Sequence, residues 1–144
     1  NDPLAIREIG MKRCSNRDYE RAFEYLTKAA EMGDALAHYS LSILYRGGLG
    51  VEKDKKKELF HLVEAAIAGH PAARYNLGCY EWDNERYDRA VMHWIIAANL
   101  GHDGSIQTLK ECYKRGVISK EDFAAALRAH QAAVDATKSP QREA

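Results

Sequence analysis

Apolar side chains recur along this chain at steps of three and four residues, the spacing that places them on one face of a helix. The clearest stretch leads up to Gly101 and contains Tyr87, Ala90, Val91, Trp94, Ile95 and Ala98. A similar stretch before Gly69 contains Leu59, Leu62, Val63 and Ala66. Gly commonly follows the last turn of a helix, and no segment alternates apolar and polar residues as a strand would. The pattern predicts eight helices and no strands.

A short phrase of small residues closes three of these helices and reveals a repeat. It occupies residues 29–33, 65–69 and 97–101, each time beginning Ala-Ala and ending in Gly. The first helix of each pair carries a matching position, which is occupied in turn by Gly10, Ser42, Gly78 and Lys110. These positions are 32, 36 and 32 residues apart. Recurrence over about 20–50 residues is typical of stacked helical repeats. The longer interval comes from extra residues within Arg46–Val51, and we predict the longest loop within a helix pair around Arg46–Lys53.

The repeat organises the chain into helix pairs. We predict one domain over residues 1–134, with repeats at about 3–34, 35–70, 71–102 and 103–134, followed by a polar tail over residues 135–144. The last helix begins at Ser119-Lys120-Glu121-Asp122, which is close to a capping box, and we expect it to end at about Val134.

The run from Ala37 to Asp54 resembles the Sel-one-like repeat, a relative of the tetratricopeptide repeat. The matching positions are Ala37, Leu41, Tyr45, the Gly48-Leu49-Gly50-Val51 turn and Asp54, with Ser42 in place of the usual Gly. The third repeat is nearer the tetratricopeptide form at Leu77, Gly78, Ala90, Trp94 and Ala97. The resemblance covers about residues 3–134. It implies an all-α solenoid of about four antiparallel helix pairs in a right-handed superhelix.

The resemblance also implies that the first helices of successive pairs line a concave groove. The groove positions that we single out for partner binding are Arg7, Met11, Tyr39, Ile43, Arg46, Tyr75, Cys79, Trp82 and Lys114. Aromatic and Arg side chains concentrate binding energy at protein interfaces. The same aromatic residues also fill the core between helices in this family. Groove contact and packing are therefore both open for each of these residues.

The charge balance bears on the kind of partner. The chain has 21 Lys and Arg against 21 Asp and Glu, so it lacks the basic excess of a nucleic-acid binder. No apolar run approaches the roughly 20 residues of a membrane span. The one local cluster is Lys53-Asp54-Lys55-Lys56-Lys57. It is interpreted either as a solvated first helical turn or as a docking patch for an acidic partner or anionic membrane.

The cysteines bear on the compartment. The three residues, Cys14, Cys79 and Cys112, show no CxxC spacing, and no repeat holds the pair that secreted Sel-one-like relatives carry. This favours a reducing, intracellular compartment such as the cytoplasm. The chain begins at Asn1 without an initiator Met or a signal segment, so we expect it to be a piece of a longer protein.

The search for chemistry yields few candidates. His61 and His93 share one slot in successive second helices and suggest a metal pair, but Tyr25 fills that slot in the first repeat. A half-buried aromatic suits all three, so we favour packing. His70 and His102 follow helix-ending Gly residues, where we expect them to cap the last carbonyls. We therefore predict no metal, no cofactor and no catalytic activity.

Two functions follow. The first is a scaffold or adaptor that binds a segment of another protein in its groove. The second is an architectural fragment that stacks on further repeats, or on itself, through the apolar edge Pro3-Leu4-Ala5-Ile6.

Overall fold

A computed structural model describes residues 2–143 of the chain, with side chains over residues 2–138. Over these residues the regular secondary structure consists of helices alone, and the prediction of eight helices without strands is confirmed. The helices are α1 (Pro3–Ser15), α2 (Tyr19–Glu31), α3 (Ala35–Gly47), α4 (Lys55–Ile67), α5 (Pro71–Asp83), α6 (Tyr87–Asn99), α7 (Asp103–Lys114) and α8 (Lys120–Glu143).

The small-residue phrase forms the same turn three times. Gly33, Gly69 and Gly101 adopt φ of +88°, +95° and +92°, the left-handed region that Gly enters without strain. In the first turn, the Gly33 N–H donates to the Ala30 carbonyl at 2.8 Å and the Asp34 N–H donates to the Ala29 carbonyl at 3.2 Å. These two bonds satisfy carbonyls that the end of a helix leaves free. The predicted helix ends are confirmed.

The residue after each of these Gly residues caps the next first helix. The Asp34 carboxylate accepts from the Ala37 N–H at 2.9 Å. The Nδ1 atoms of His70 and His102 accept from backbone N–H groups at 3.2 and 3.1 Å. The prediction that these histidines cap preceding carbonyls is wrong, because the free amides of the following helix lie within reach of the ring acceptor.

The chain divides into two compact units, Asn1–Ala73 and Arg74–Ala144, here called the N-terminal and C-terminal units. In the N-terminal unit, α1 packs on α2, α2 on α3, and α3 on α4. Its core consists of Ala22, Leu26, Ala29, Ala30, Ala37, Leu41 and Leu44. The alanines let neighbouring helices approach closely.

The core of the C-terminal unit is built around Trp94, which is 4% exposed. Its indole N–H donates to the Tyr75 carbonyl at 3.2 Å. A Cβ atom at Gly78 would lie 2.4 Å from the indole nitrogen, so the small slot of this repeat makes room for the indole. The predicted burial of Ala90, Trp94 and Ala98 is confirmed, and Val91 and Ile95 are partly buried, whereas Tyr87 at the start of the predicted stripe is 44% exposed.

The connections and ends show one agreement and one difference. The loop between Gly47 and Lys55 is the long within-pair connection that the sequence predicts. The expected end of α8 at Val134 is wrong, because the next residues include no Gly and the helix continues to Glu143. Residues 1 and 144, which limit the predicted domain and tail, lie outside the described residues, as do the side chains beyond residue 138.

Candidate functional site

A cavity of about 360 Å³ lies between the first helices α1 and α3 of the N-terminal unit. Its lining is mostly apolar and consists of Met11, Cys14, Ser15, Tyr19, Ser40, Ile43, Leu44 and Leu49. The Ser40 hydroxyl donates to the Met11 sulfur at 3.3 Å, so a polar group on the wall is already satisfied within the protein. The cavity offers a surface for an apolar side chain.

Helix geometry brings these residues together. The α1 residues follow one another at i, i+3 and i+4, and so do the α3 residues, which puts each set on one helix face. Leu49 reaches the cavity from the loop after α3, and its N–H donates to the Leu44 carbonyl at 2.9 Å. The extra loop residues of this repeat therefore supply part of the wall.

Of the predicted groove residues in this unit, Met11 and Ile43 line the cavity. Arg46 is exposed in the last turn of α3. The other two make contacts within the protein: Arg7 pairs with Asp34 at 3.4 Å, and the Tyr39 ring stacks on His70 with centroids 4.4 Å apart.

The C-terminal unit has a smaller cavity of about 190 Å³. It is lined by Trp82, Trp94, Thr108, Glu111, Cys112 and Arg115. Four of these residues stand 68 positions after lining residues of the larger cavity, so the two cavities occupy the same place in the repeat.

The predicted groove residues of the C-terminal unit fall into different environments. Trp82 lines the small cavity and lies 5.5 Å from Trp94, centroid to centroid. The Tyr75 hydroxyl is hydrogen-bonded to the Thr108 hydroxyl at 3.0 Å. Cys79 packs partly buried against the core, and Lys114 is exposed beside Glu111 at 3.5 Å. Packing explains the aromatic residues here.

Two of the cysteines, Cys14 and Cys112, are wall groups of the cavities. All three cysteines are free, and burial raises the pKa of Cys14 and of Cys112. Each of these two lines one of the cavities, where a neutral thiol behaves as a small apolar group.

The histidines of the second helices pack against first-helix residues. The Nδ1 atoms of His38 and His61 lie 2.9 Å apart, and the Tyr45 ring stacks on His61. Burial, together with the charges of His38 and Lys57, lowers the pKa of His61 to about 4. In the next repeat, Arg74 donates to His93 at 3.4 Å, and burial lowers the pKa of His93 as well. Across residues 2–138, no group of three His, Cys, Asp or Glu is placed to hold a metal.

The lysine cluster is the first turn of a capped helix. Asp54 caps α4 by accepting from the Lys57 N–H at 3.1 Å. Lys55 pairs with Glu58 at 3.6 Å, and the Lys57 ammonium lies 5.8 Å from the centre of the Tyr45 ring. These contacts favour the interpretation as a solvated helix start. None of the helices over residues 2–143 is long and apolar enough to cross a membrane.

Sequence reasoning missed the outer face of α4. Val63, which the periodicity assigns to the buried stripe, is 40% exposed. Phe60 and Ile67 on the same helix are exposed as well. The sequence does contain a signal for this exposed face. Phe60 and Ile67 fall outside the buried stripe and are spaced i and i+7, which places them on a second stripe of the same helix.

These helix pairs define an α-solenoid of the helical-repeat class, with about four pairs. The model of the Sel1 repeat family matches residues 10–34, 35–70 and 71–102, which is more than half of the chain. The chain belongs to the Sel1 repeat family. Sel1 repeats commonly act as protein-interaction scaffolds. The predicted fourth repeat lies beyond the matched segments, where the structure has the pair α7 and α8.

The chain is similar to several known proteins. Protein SHC1 of Saccharomyces cerevisiae is 30% identical over 134 residues, covering 83% of this chain and 26% of that protein. The chain thus spans about a quarter of this relative's length. The crystal structure of a Sel1 repeat protein from Oxalobacter formigenes is 25% identical with a TM-score of 0.77, covering 91% of this chain and 58% of the other. A protective antigen of uropathogenic Escherichia coli with an SLR fold, 20% identical with a TM-score of 0.73, shares the fold over 95% of this chain and 32% of its own.

Proposed function

We propose that the chain is a non-catalytic protein-interaction module in which the cavity between α1 and α3 receives an apolar side chain of a partner segment. The observation that carries this proposal is the cavity itself, about 360 Å³ of mostly apolar wall. An apolar cavity of about 150 Å³ already accommodates a benzene ring. A Leu or Phe side chain of a partner therefore fits between Met11 and Ile43.

Burial of one such side chain supplies about 1.5–3 kcal/mol of binding free energy. Arg46 lies one turn after Ile43 on α3 and is exposed, so its guanidinium is free to meet a carboxylate of the same segment. The preferred ligand is thus a segment with an apolar anchor and an acidic residue close to it.

The C-terminal unit contributes differently under this proposal. Its cavity is about half as large and carries Glu111 and Arg115 on its wall. A mixed-charge wall of this kind suits a small or polar side chain.

A second candidate function is architectural stacking through the N-terminal edge. The observation in its favour is that Leu4 and Ile9 of α1 are both exposed. A preceding helix pair would cover such residues in a longer array.

The two functions are separated by selecting linear peptides from a displayed library against the whole chain. We expect the selected peptides to lose at least tenfold in affinity for Ile43→Glu and to bind Leu4→Glu normally. The Ile43→Glu variant is expected to fold, because the matching slot of the C-terminal unit holds Glu111. Peptides that bind Ile43→Glu unchanged would contradict the proposal.

A further inference from the structure

The outer face of α4 presents an apolar stripe to solvent. Phe60, Val63 and Ile67 are 55%, 40% and 69% exposed, and their i, i+3, i+7 spacing aligns them along the helix. The Phe60 ring is held from one side by edge contacts with His61 and His38, at centroid distances of 5.0 and 6.4 Å. Contiguous exposed apolar residues are typical of interaction sites.

The repeat provides an internal control for this stripe. At the matching slots of α2, 36 residues earlier, the chain has Glu24, Thr27 and Glu31. Helix α2 forms its own pair with α1 as α4 does with α3, and Glu24 and Glu31 are exposed. The fold thus accommodates charged side chains at these slots. Folding alone does not account for Phe60, Val63 and Ile67.

The charges beside the stripe are arranged to match a second copy. Lys56 lies one turn before Phe60 and Glu64 one turn after it, and neither forms an ion pair among the described side chains. When two α4 helices cross in antiparallel fashion about a twofold axis at Phe60, Lys56 of each meets Glu64 of the other. Such a contact uses the i±4 ridge of both helices and is self-complementary, as a twofold interface requires.

The equivalent helices lack this combination of an apolar centre and complementary charges. On α2, the flanking positions hold Glu20 and Lys28, which also complement each other, but the same construction places Glu24 against its own copy. On α6, the residues one turn before and after Met92 are Asp88 and Ile96, so a carboxylate would face an apolar side chain. Of these three second helices, α4 alone has both features.

We propose that the outer face of α4 is a homodimer interface, with Phe60 at its centre and two Lys56–Glu64 pairs beside it. This interface is separate from the proposed partner cavity, whose lining includes no α4 residue. A single helix crossing buries less than the roughly 1,200 Å² of a standard interface. We therefore expect weak association, with a Kd on the order of 10–100 µM.

Sedimentation equilibrium of the whole chain across that concentration range tests the proposal. We expect the mass to rise from monomer to dimer and no further. Phe60→Glu should raise the dissociation constant at least tenfold. Met92→Glu is the matched control, because Met92 fills the same slot on α6 and is 62% exposed, and it should leave dimerisation unchanged.

Exchanging the charges of Lys56 and Glu64 provides a second test. Lys56→Glu and Glu64→Lys should each weaken the dimer several-fold, and the double variant should restore it, because complementarity returns with the signs reversed. Circular dichroism checks that each variant keeps its helices. A chain that stays monomeric, a dimer that survives Phe60→Glu, growth beyond the dimer, or a double variant that fails to recover would overturn the proposal.

Discussion

The two units contain the same groove and fill it differently. In the N-terminal unit it is an apolar cavity of about 360 Å³, and in the C-terminal unit it is about 190 Å³ with charged residues on the wall. The matching lining residues, 68 positions apart, are Cys14 and Trp82, Ser40 and Thr108, Ile43 and Glu111, and Leu44 and Cys112.

The residue at one pair of matching positions explains most of the difference in cavity volume between the two units. Where the N-terminal unit has the small Cys14, the C-terminal unit has Trp82, whose ring packs on Trp94 and lies 4.5 Å from Tyr87, centroid to centroid. The indole that resembles a binding anchor in the sequence is used to stabilise its own unit. In this protein, the larger cavity lies where the first helix carries a small side chain.

The largest expected effect is on the core of the C-terminal unit. Trp94→Ala should cost about 3–5 kcal/mol of unfolding free energy, since it removes a buried indole and leaves a cavity. Urea unfolding followed by the fluorescence of Trp82 reports this unit, because both tryptophans of the chain lie in it. Met92→Ala, at an exposed position of the same helix, should change the free energy by less than about 0.5 kcal/mol. A loss below about 1 kcal/mol for Trp94→Ala would refute the assigned face.

Adding a methyl group at the glycine position of the first helix should destabilise the two units unequally. Gly78→Ala places a Cβ atom 2.4 Å from the rigid Trp94 indole, whereas Gly10→Ala places one 2.9 Å from the smaller, aliphatic side chain of Leu26. We expect Gly78→Ala to cost about 2–3 kcal/mol, in the range for overpacking, and Gly10→Ala to cost less than about 1.5 kcal/mol. Chemical denaturation of both variants makes the comparison, and equal costs would show that the indole does not limit this slot.

Acid should weaken the N-terminal unit through His61. Its pKa is about 4 in the folded protein against 6.5 for an ordinary histidine, so the unfolded chain binds more protons between these values. The contribution of the neutral His61 to stability is therefore fully present above pH 6.5. It is lost as the pH falls from 6.5 to 4, and below pH 4 this group causes no further loss. Since the ring is only half buried, we expect a loss of about 2 kcal/mol.

Denaturation followed by circular dichroism at several pH values measures this loss. His61→Tyr, which installs the residue that the first repeat has at this slot as Tyr25, should remove most of the dependence. His93→Tyr provides the comparison in the C-terminal unit. An unchanged pH profile for His61→Tyr would assign the acid sensitivity to another group.

The sequence predicts the periodic features of this fold well, because they depend on local spacing. The helices, the Gly33 turn and the burial of Trp94 all follow from residues a few positions apart. The roles of Tyr39 and Tyr75 cannot be predicted in this way. A first helix has groove positions and packing positions within one turn, and which of the two a tyrosine occupies depends on the size of a contacting side chain far along the chain. The capping prediction for His102 was wrong because residues between two helices can cap either one, and here the ring accepts from the Ser105 N–H of the following helix.

The most direct test of the central claim is methyl NMR of the chain titrated with a selected peptide, together with exchange of the matching slots. The account predicts that the Met11 and Ile43 methyl resonances shift most, that Ile43→Glu lowers affinity at least tenfold, and that Glu111→Ile leaves it unchanged. Shifts confined to residues around Trp82, with full binding by Ile43→Glu, would contradict the account and place the partner site in the C-terminal unit.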